Sequence, residues 1–244
     1  MIENNWFDPF YIQSYLNEEE SNIQKNVRDF CNNELKPTVV EKNRKNEFDK
    51  DLYPKFGSLG VLGQTVKTHG GSGTSNLAYG LVAYEFEKID SSYRSSISVQ
   101  SSLVIHPINE FGSQEQKDKY LPQLIKGEKI GCFGLTESEA GSDPASMKTS
   151  FKKTKDGYIL NGSKNWITNA PIADIFIIWA IEENKDHKSI KGFIIEKNTE
   201  GLNTSTIENK TSLKISPTGQ IILNNVFVPN NLCLENTEGW KSVF

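Results

Sequence analysis

The chain is poor in several residue types, and each scarcity closes off a class of function. Three cysteines in 244 residues, Cys31, Cys132 and Cys233, are odd in number and contain no Cys-x-x-Cys pair. They fit buried thiols in a reducing compartment rather than a disulfide framework or a zinc site. Three histidines are equally scattered, which leaves no cluster for a metal. Neither sign of charge is in excess: the formal net charge is −4, so nothing points to nucleic acid or an anionic membrane surface. No run approaches the ~18 apolar residues of a membrane span. The start, Met1-Ile2-Glu3-Asn4-Asn5-Trp6, is acidic and polar where a secretory signal is basic and then apolar, and it lacks the arginines of a transit peptide. These absences describe a soluble cytoplasmic protein, long enough for one large or two ordinary domains.

What is present divides at about residue 128. Asn17 with Glu20 forms a capping box, and behind it Ile23, Val27, Phe30, Cys31 and Leu35 share one helix face until Pro37 interrupts. A second helical segment carries Leu52, Phe56 and Leu59 and stops at Gly60. The loop with Gly70, Gly71 and Gly73 lacks the Lys-Ser/Thr ending of a phosphate cradle and reads as a connection. Ser75 or Asn76 caps a helix bearing Leu77, Leu81, Val82, Glu85 and Ile89. Ser91 or Ser92 caps another that runs to Phe111 and Gly112, and Ser113 with Gln116 starts one ending at Gly127. From Lys129 the period falls to two. Strands are predicted at Ser150–Thr154 and Tyr158–Asn161 around a Lys155-Asp156-Gly157 turn, then at Ile175–Ile181, Gly192–Glu196, Leu202–Ile207 and Gln220–Val228. The expected fold is α+β: an all-helical domain over 1–128, then a small β-barrel or sandwich over 129–236.

Two stretches of the β part suggest a ligand site. The first, Ile130 to Ser146, is a strand that breaks at Ala140-Gly141-Ser142-Asp143-Pro144, where Gly141 is expected to supply a positive φ. Such a strand end offers backbone N–H groups and short hydroxyls to a flat ring or an anion, although a structural hairpin is the commoner use of the pattern. The second, Asn161 to Asn169, contains Trp166-Ile167-Thr168: an indole face and a hydroxyl beside it could flank a ring, or the Trp-Ile pair could be ordinary core. Arg94, in the first turn of a serine-capped helix, could hold an anion together with that turn's N–H groups, or it could pair with Asp90 or Glu87 at the surface. Gln100, Ser101 and His106 read as structural, His106 with a satisfied ring nitrogen. Glu85 and Glu87 read as helix-face charges.

Together these stretches resemble the acyl-CoA dehydrogenase family. Gly134-Leu135-Thr136-Glu137 with Gly141-Ser142-Asp143 matches its first signature, and Asn161-Gly162, Lys164 and Trp166-Ile167-Thr168-Asn169 match its second. Asp90-Ser91-Ser92-Tyr93-Arg94-Ser95, Ser98 to Leu103 and His106-Pro107-Ile108 resemble the glutaryl-CoA dehydrogenase branch, an activity of lysine and tryptophan catabolism. The resemblance implies FAD, held by Phe133, Gly134, Leu135, Thr136, Gly141, Ser142, Trp166, Ile167 and Thr168. It also implies an acyl-CoA substrate along Ser142, whose distal carboxylate is gripped by Arg94 and Ser95. Ser142 alone reads equally as a turn serine bonding its own backbone. Ser138 stands where the family has proline, which loosens the turn.

The implied reaction is α,β-dehydrogenation of glutaryl-CoA with loss of CO2 to give crotonyl-CoA, with electron-transfer flavoprotein as acceptor. The resemblance places the base, a glutamate, in a C-terminal helical domain of which only residues 237–244 would be present, so no catalytic residue and no metal ligand is assigned here. That half, or a homo-oligomeric partner, would complete the site, and the chain by itself is expected to be nearly inactive and to bind FAD poorly. If the source is eukaryotic, the compartment implied is the mitochondrial matrix. The alternatives are a dehydrogenase for short monocarboxylic acyl-CoA and a non-catalytic remnant that binds a partner.

Overall fold

The structure is a computed structural model that describes residues 8–237 and 239–243. The N-terminal segment Met1–Trp6 and two residues of the 237–244 segment lie outside the described residues.

Helix α1, Glu18–Phe30, starts at the Asn17 capping box and continues as a π-helical segment, Cys31–Leu35. Val27, Cys31 and Leu35 are its buried stripe, and a turn at Lys36–Thr38 follows. A short helix that the sequence reading did not anticipate, α2 (Val39–Lys45), comes next, then α3 (Leu52–Ser58), with Leu52, Tyr53 and Phe56 buried. Ser75 caps α4, Asn76–Glu87. There Leu77 is exposed and Ile89 lies beyond the helix end, because the buried stripe is Ala78, Leu81, Val82, Glu85 and Phe86.

Helix α5, Ser91–Ser98, is capped by Asp90 rather than Ser91 or Ser92: the Asp90 carboxylate accepts from the Ser92 N–H at 2.8 Å. Three adjacent residues could each cap, and the carboxylate accepts most strongly. The helix runs on through π turns, Val99–Ile105, into α6, His106–Phe111. His106 lies inside this continuous helix, but its ring is exposed and has no protein partner among the described residues. Helix α7, Gln114–Ile125, begins at the Ser113–Gln116 capping box.

Strands β1 (Gly131–Gly134), β2 (Ser150–Lys153), β3 (Gly157–Thr168), β4 (Ile175–Glu182), β5 (Lys191–Glu196), β6 (Leu202–Thr206) and β7 (Thr218–Pro229) form a curled mixed sheet in the order β1-β4-β2-β3-β7-β6, with β5 on β4. Strand β4 pairs in parallel with β1 and β2, and is buried on both faces. Its continuous apolar run follows from that position. Ile175, Ile177 and Trp179 face the helical core, whereas Phe176, Ile178 and Ala180 face the interior of the curl. The helices and the sheet therefore share β4 as a common wall.

Gln100 joins the two parts. Fully buried, it donates from Nε2 to the Leu124 and Lys129 carbonyls at 3.0 and 2.9 Å and accepts from the Gly131 N–H at 2.8 Å. Gly131 must be glycine, since a Cβ there would lie 2.4 Å from Val104. Replacing Gln100 with leucine takes the side-chain partner from those three groups, two of them in buried bonds, and a loss of about 2–3 kcal/mol is expected in urea unfolding. Ser101 is structural in the same sense: its hydroxyl accepts from the Gly63 N–H and donates to the Val61 carbonyl.

Candidate flavin site

The curl of the sheet brings the two predicted stretches together. They run antiparallel: the Asn169 side-chain amide donates to the Gly131 carbonyl at 3.0 Å, the Asn165 N–H to the Thr136 carbonyl at 2.9 Å, and Lys164 Nζ to the Leu135 carbonyl at 3.0 Å. Residues 131–136 and 164–169 thus form one unit although about 30 residues of chain separate them.

Strand β3 leaves its ladder between Lys164 and Ile167. Within that bulge Trp166 adopts φ 60° and is 57% exposed. A bulky residue in left-handed backbone is strained by about 1–2 kcal/mol. Burial does not offset that cost here, so the core reading of Trp166 fails and the indole stands free as a face. Ile167 is buried in the interior of the curl, which limits it to backbone contact with a ligand, and Thr168 beside it is half-buried. The hydroxyls of Thr136 and Thr168 have no partner among the described residues.

Phe133 and Leu135 are half-buried against the helical core, Phe133 edge-on to Trp179 at 6.1 Å. Gly134 is required by packing, for a Cβ would fall 2.6 Å from Ile178 and 3.3 Å from the Lys164 stem. Gly141 differs from expectation. It has no positive φ and nothing within 4 Å of a Cβ. The reversal instead occurs at Ser138 and Glu139, inside reciprocal backbone bonds between Glu137 and Ala140. Ser138 accepts from the Asn165 side-chain amide at 3.4 Å. Ser142 is exposed and its hydroxyl makes no bond to its own backbone.

The residue type that sequence reasoning passed over is the lysine of the second signature. Lys164 is fully buried, and its ammonium lies 2.9 Å from Glu137 Oε1. Glu137 also accepts from the N–H groups of Lys148 and Thr149 at 2.7 and 2.9 Å. Burial pulls the Lys164 ammonium down to about 8 while Glu137 opposes that shift. Burial also pushes the Glu137 carboxyl up, but Lys164 and the donors from Thr149 and Lys148 outweigh it, and the group stays below its ordinary range. Both directions leave an ionised pair at neutral pH. A signal was present: Tyr158 and Leu160 face inward, and Lys164 continues their two-residue period.

Glu85, read from sequence as a helix-face charge, is also buried. It accepts from the Gln24 side-chain amide at 2.9 Å and from Arg28 Nη2 at 2.8 Å, with Lys88 at 3.4 Å.

Arg94 donates from Nε to Glu87 Oε2 at 2.8 Å, and Ser91 donates to the other Glu87 oxygen. The bonds from Ser91 and Arg94 hold the Glu87 carboxyl below its ordinary range. The first-turn N–H of Ser92 is not free for an anion, because Asp90 occupies it. The two Nη groups of Arg94 and the half-buried Ser95 hydroxyl have no partner among the described residues.

A helical bundle thus shares a wall with a curled sheet, and among the described residues two stretches of that sheet meet beside a strained, exposed indole and two unpartnered hydroxyls. The chain belongs to the acyl-CoA dehydrogenase family: residues 17–128 match the acyl-CoA dehydrogenase N-terminal domain and residues 132–226 its middle domain. The short-chain-specific acyl-CoA dehydrogenase of Clostridium acetobutylicum is 37% identical over 216 residues, 88% of this chain and 57% of that protein. A glutaryl-CoA dehydrogenase from Mycobacterium smegmatis, solved in complex with FADH2, superposes with TM-score 0.93 at 39% identity, covering 96% of this chain and 60% of that one. A chain from a structure described as the electron transferring flavoprotein of Acidaminococcus fermentans superposes with TM-score 0.88 at 35% identity, covering 93% and 60%. The chain therefore spans under two thirds of the length of each of these relatives. Among the described residues no helix is long and apolar enough to cross a membrane.

Proposed function

We propose that the chain is the FAD- and substrate-contacting portion of an acyl-CoA dehydrogenase acting on glutaryl-CoA. The observation that carries the flavin reading is the strained, exposed Trp166 beside the unpartnered hydroxyls of Thr136 and Thr168, on two stretches held together by backbone bonds. These residues fit a flavin: an indole face against the ring, and hydroxyl and backbone donors for its polar edge, with Phe133, Gly134, Leu135, Gly141, Ser142 and Ile167 completing the contact. FAD, when bound, supplies the hydride acceptor for oxidation of the acyl chain. The chain's own residues orient the ring, and Ser142 offers its free hydroxyl to the acyl-CoA tail.

Arg94 supports the diacid reading. Glu87 engages only Nε, so the Nη edge can take a second carboxylate with the Ser95 hydroxyl beside it. A monocarboxylic acyl-CoA has no use for that cation, and the short-chain relative keeps such a substrate as the second reading. Electron-transfer flavoprotein is the proposed acceptor. The three buried free thiols support a reducing compartment, the cytoplasm. No residue of this chain is proposed as the base.

Titration of the 244-residue chain with FAD, followed by flavin fluorescence and a dye-coupled assay on glutaryl-CoA, tests the proposal. Weak flavin binding without turnover is expected. Turnover by the chain alone would show that its own residues include the base and would overturn that part of the proposal.

A further inference from the structure

The buried Lys164–Glu137 pair lies behind the proposed flavin face. A charge pair of this kind is a poor source of stability, because taking both ions out of water costs about as much as their attraction returns. A pair of apolar residues would fill the space with less electrostatic cost, so the reason for the ions must lie in what they hold. The hydrogen bonds around the pair answer this. Lys164 Nζ donates to the Leu135 carbonyl as well as to Glu137, and Glu137 closes the Ser138–Glu139 reversal with Ala140 while accepting from Lys148 and Thr149. Glu137 thereby ties the first stretch to the chain that enters β2, and Lys164 ties both to the second stretch. Immediately outside the pair stand Thr136 on one strand and Asn165-Trp166 in the bulge of the other, joined by the Asn165-to-Thr136 bond.

We infer that Lys164 and Glu137 are positioning residues: the buried pair fixes the register of residues 133–136 against 166–168, and through it the spacing of the donors and the indole that face the ring. The ammonium reaches carbonyl and carboxylate at once, which a methionine, having no donor, cannot do. Met147, whose sulfur lies 3.9 Å from Nζ, closes the remaining side. The inference rests on the flavin reading for its purpose, but the latch is a property of the folded chain with or without flavin.

The test is amide hydrogen exchange on the 244-residue chain for wild type, Lys164→Met and the double variant Lys164→Met/Glu137→Gln. The single variant leaves a buried carboxylate without its counter-ion and can fail to fold. The double variant removes both charges, and its urea midpoint is expected to return close to wild type. In that variant the amides of Asn165 and Thr149 are expected to exchange tenfold faster or more, with those of β4 and α7 unchanged. Unaltered protection of Asn165 and Thr149 in a stably folded double variant would overturn the inference. Repeating the exchange with FAD separates the two claims. Added protection of residues 133–136 and 166–168 in wild type, absent from the double variant, supports the latch as a flavin-positioning device. Equal added protection in both proteins overturns it. No added protection in wild type counts against the flavin reading, and the comparison without FAD still decides the latch.

Discussion

Replacing Arg94 with alanine is expected to lower kcat/KM for glutaryl-CoA by roughly 30- to 1,000-fold, the equivalent of about 2–4 kcal/mol for losing one member of a partly desolvated charge pair. The measurement uses a polypeptide that joins this chain to the C-terminal portion of a family member, so that it spans the length of the relatives this chain matches. Butyryl-CoA, which has no distal carboxylate, should change by less than about threefold, since an exposed pair such as Arg94–Glu87 contributes little by itself. Glu87→Gln provides the contrast. It keeps an acceptor for Nε but removes the competing charge, so glutaryl-CoA should bind as well as before or better. An equal loss for both substrates in the Arg94 variant would mean that the guanidinium supports the helix and does not read the substrate.

Trp166→Gly should separate stability from binding. Glycine adopts φ 60° without strain but has more backbone entropy to lose on folding, and the indole is 57% exposed, so stability is expected to stay within about 1 kcal/mol of wild type. Flavin affinity in the same joined polypeptide should fall about tenfold or more, because the ring loses its aromatic face. A variant that loses several kcal/mol of stability would make Trp166 a packing residue after all. One that binds flavin unchanged would remove the indole from the site.

Most of the helical part was legible from local sequence. The capping boxes at Asn17–Glu20 and Ser113–Gln116 and the Ser75 cap are bonds between residues three apart, so the sequence that encodes them also completes them. Strands β2 and β5 to β7 followed from their two-residue period and β4 from an unbroken apolar run, whereas β3, expected only over Tyr158–Asn161, runs on to Thr168. Neighbours alone did not settle which of Asp90, Ser91 and Ser92 caps α5, nor that α2 is helical, nor that the reversal falls at Ser138–Glu139 rather than Gly141. Several residues could satisfy the same local demand, and packing chose among them.

The sequence by itself determined the order of helices and strands apart from α2, the family, and the two stretches proposed as a site, because each of these is written in spacings of a few residues. The tertiary structure decided the rest: that Lys164 meets Glu137, that Gln100 stitches the bundle to β1, that Glu87 holds only one edge of Arg94, and that Trp166 stands strained and exposed. Each of those facts depends on how far the sheet curls and where the helices rest on β4. Burial then turns an ordinary polar side chain into one that must find a partner, and only the closed fold shows which partner lies within reach.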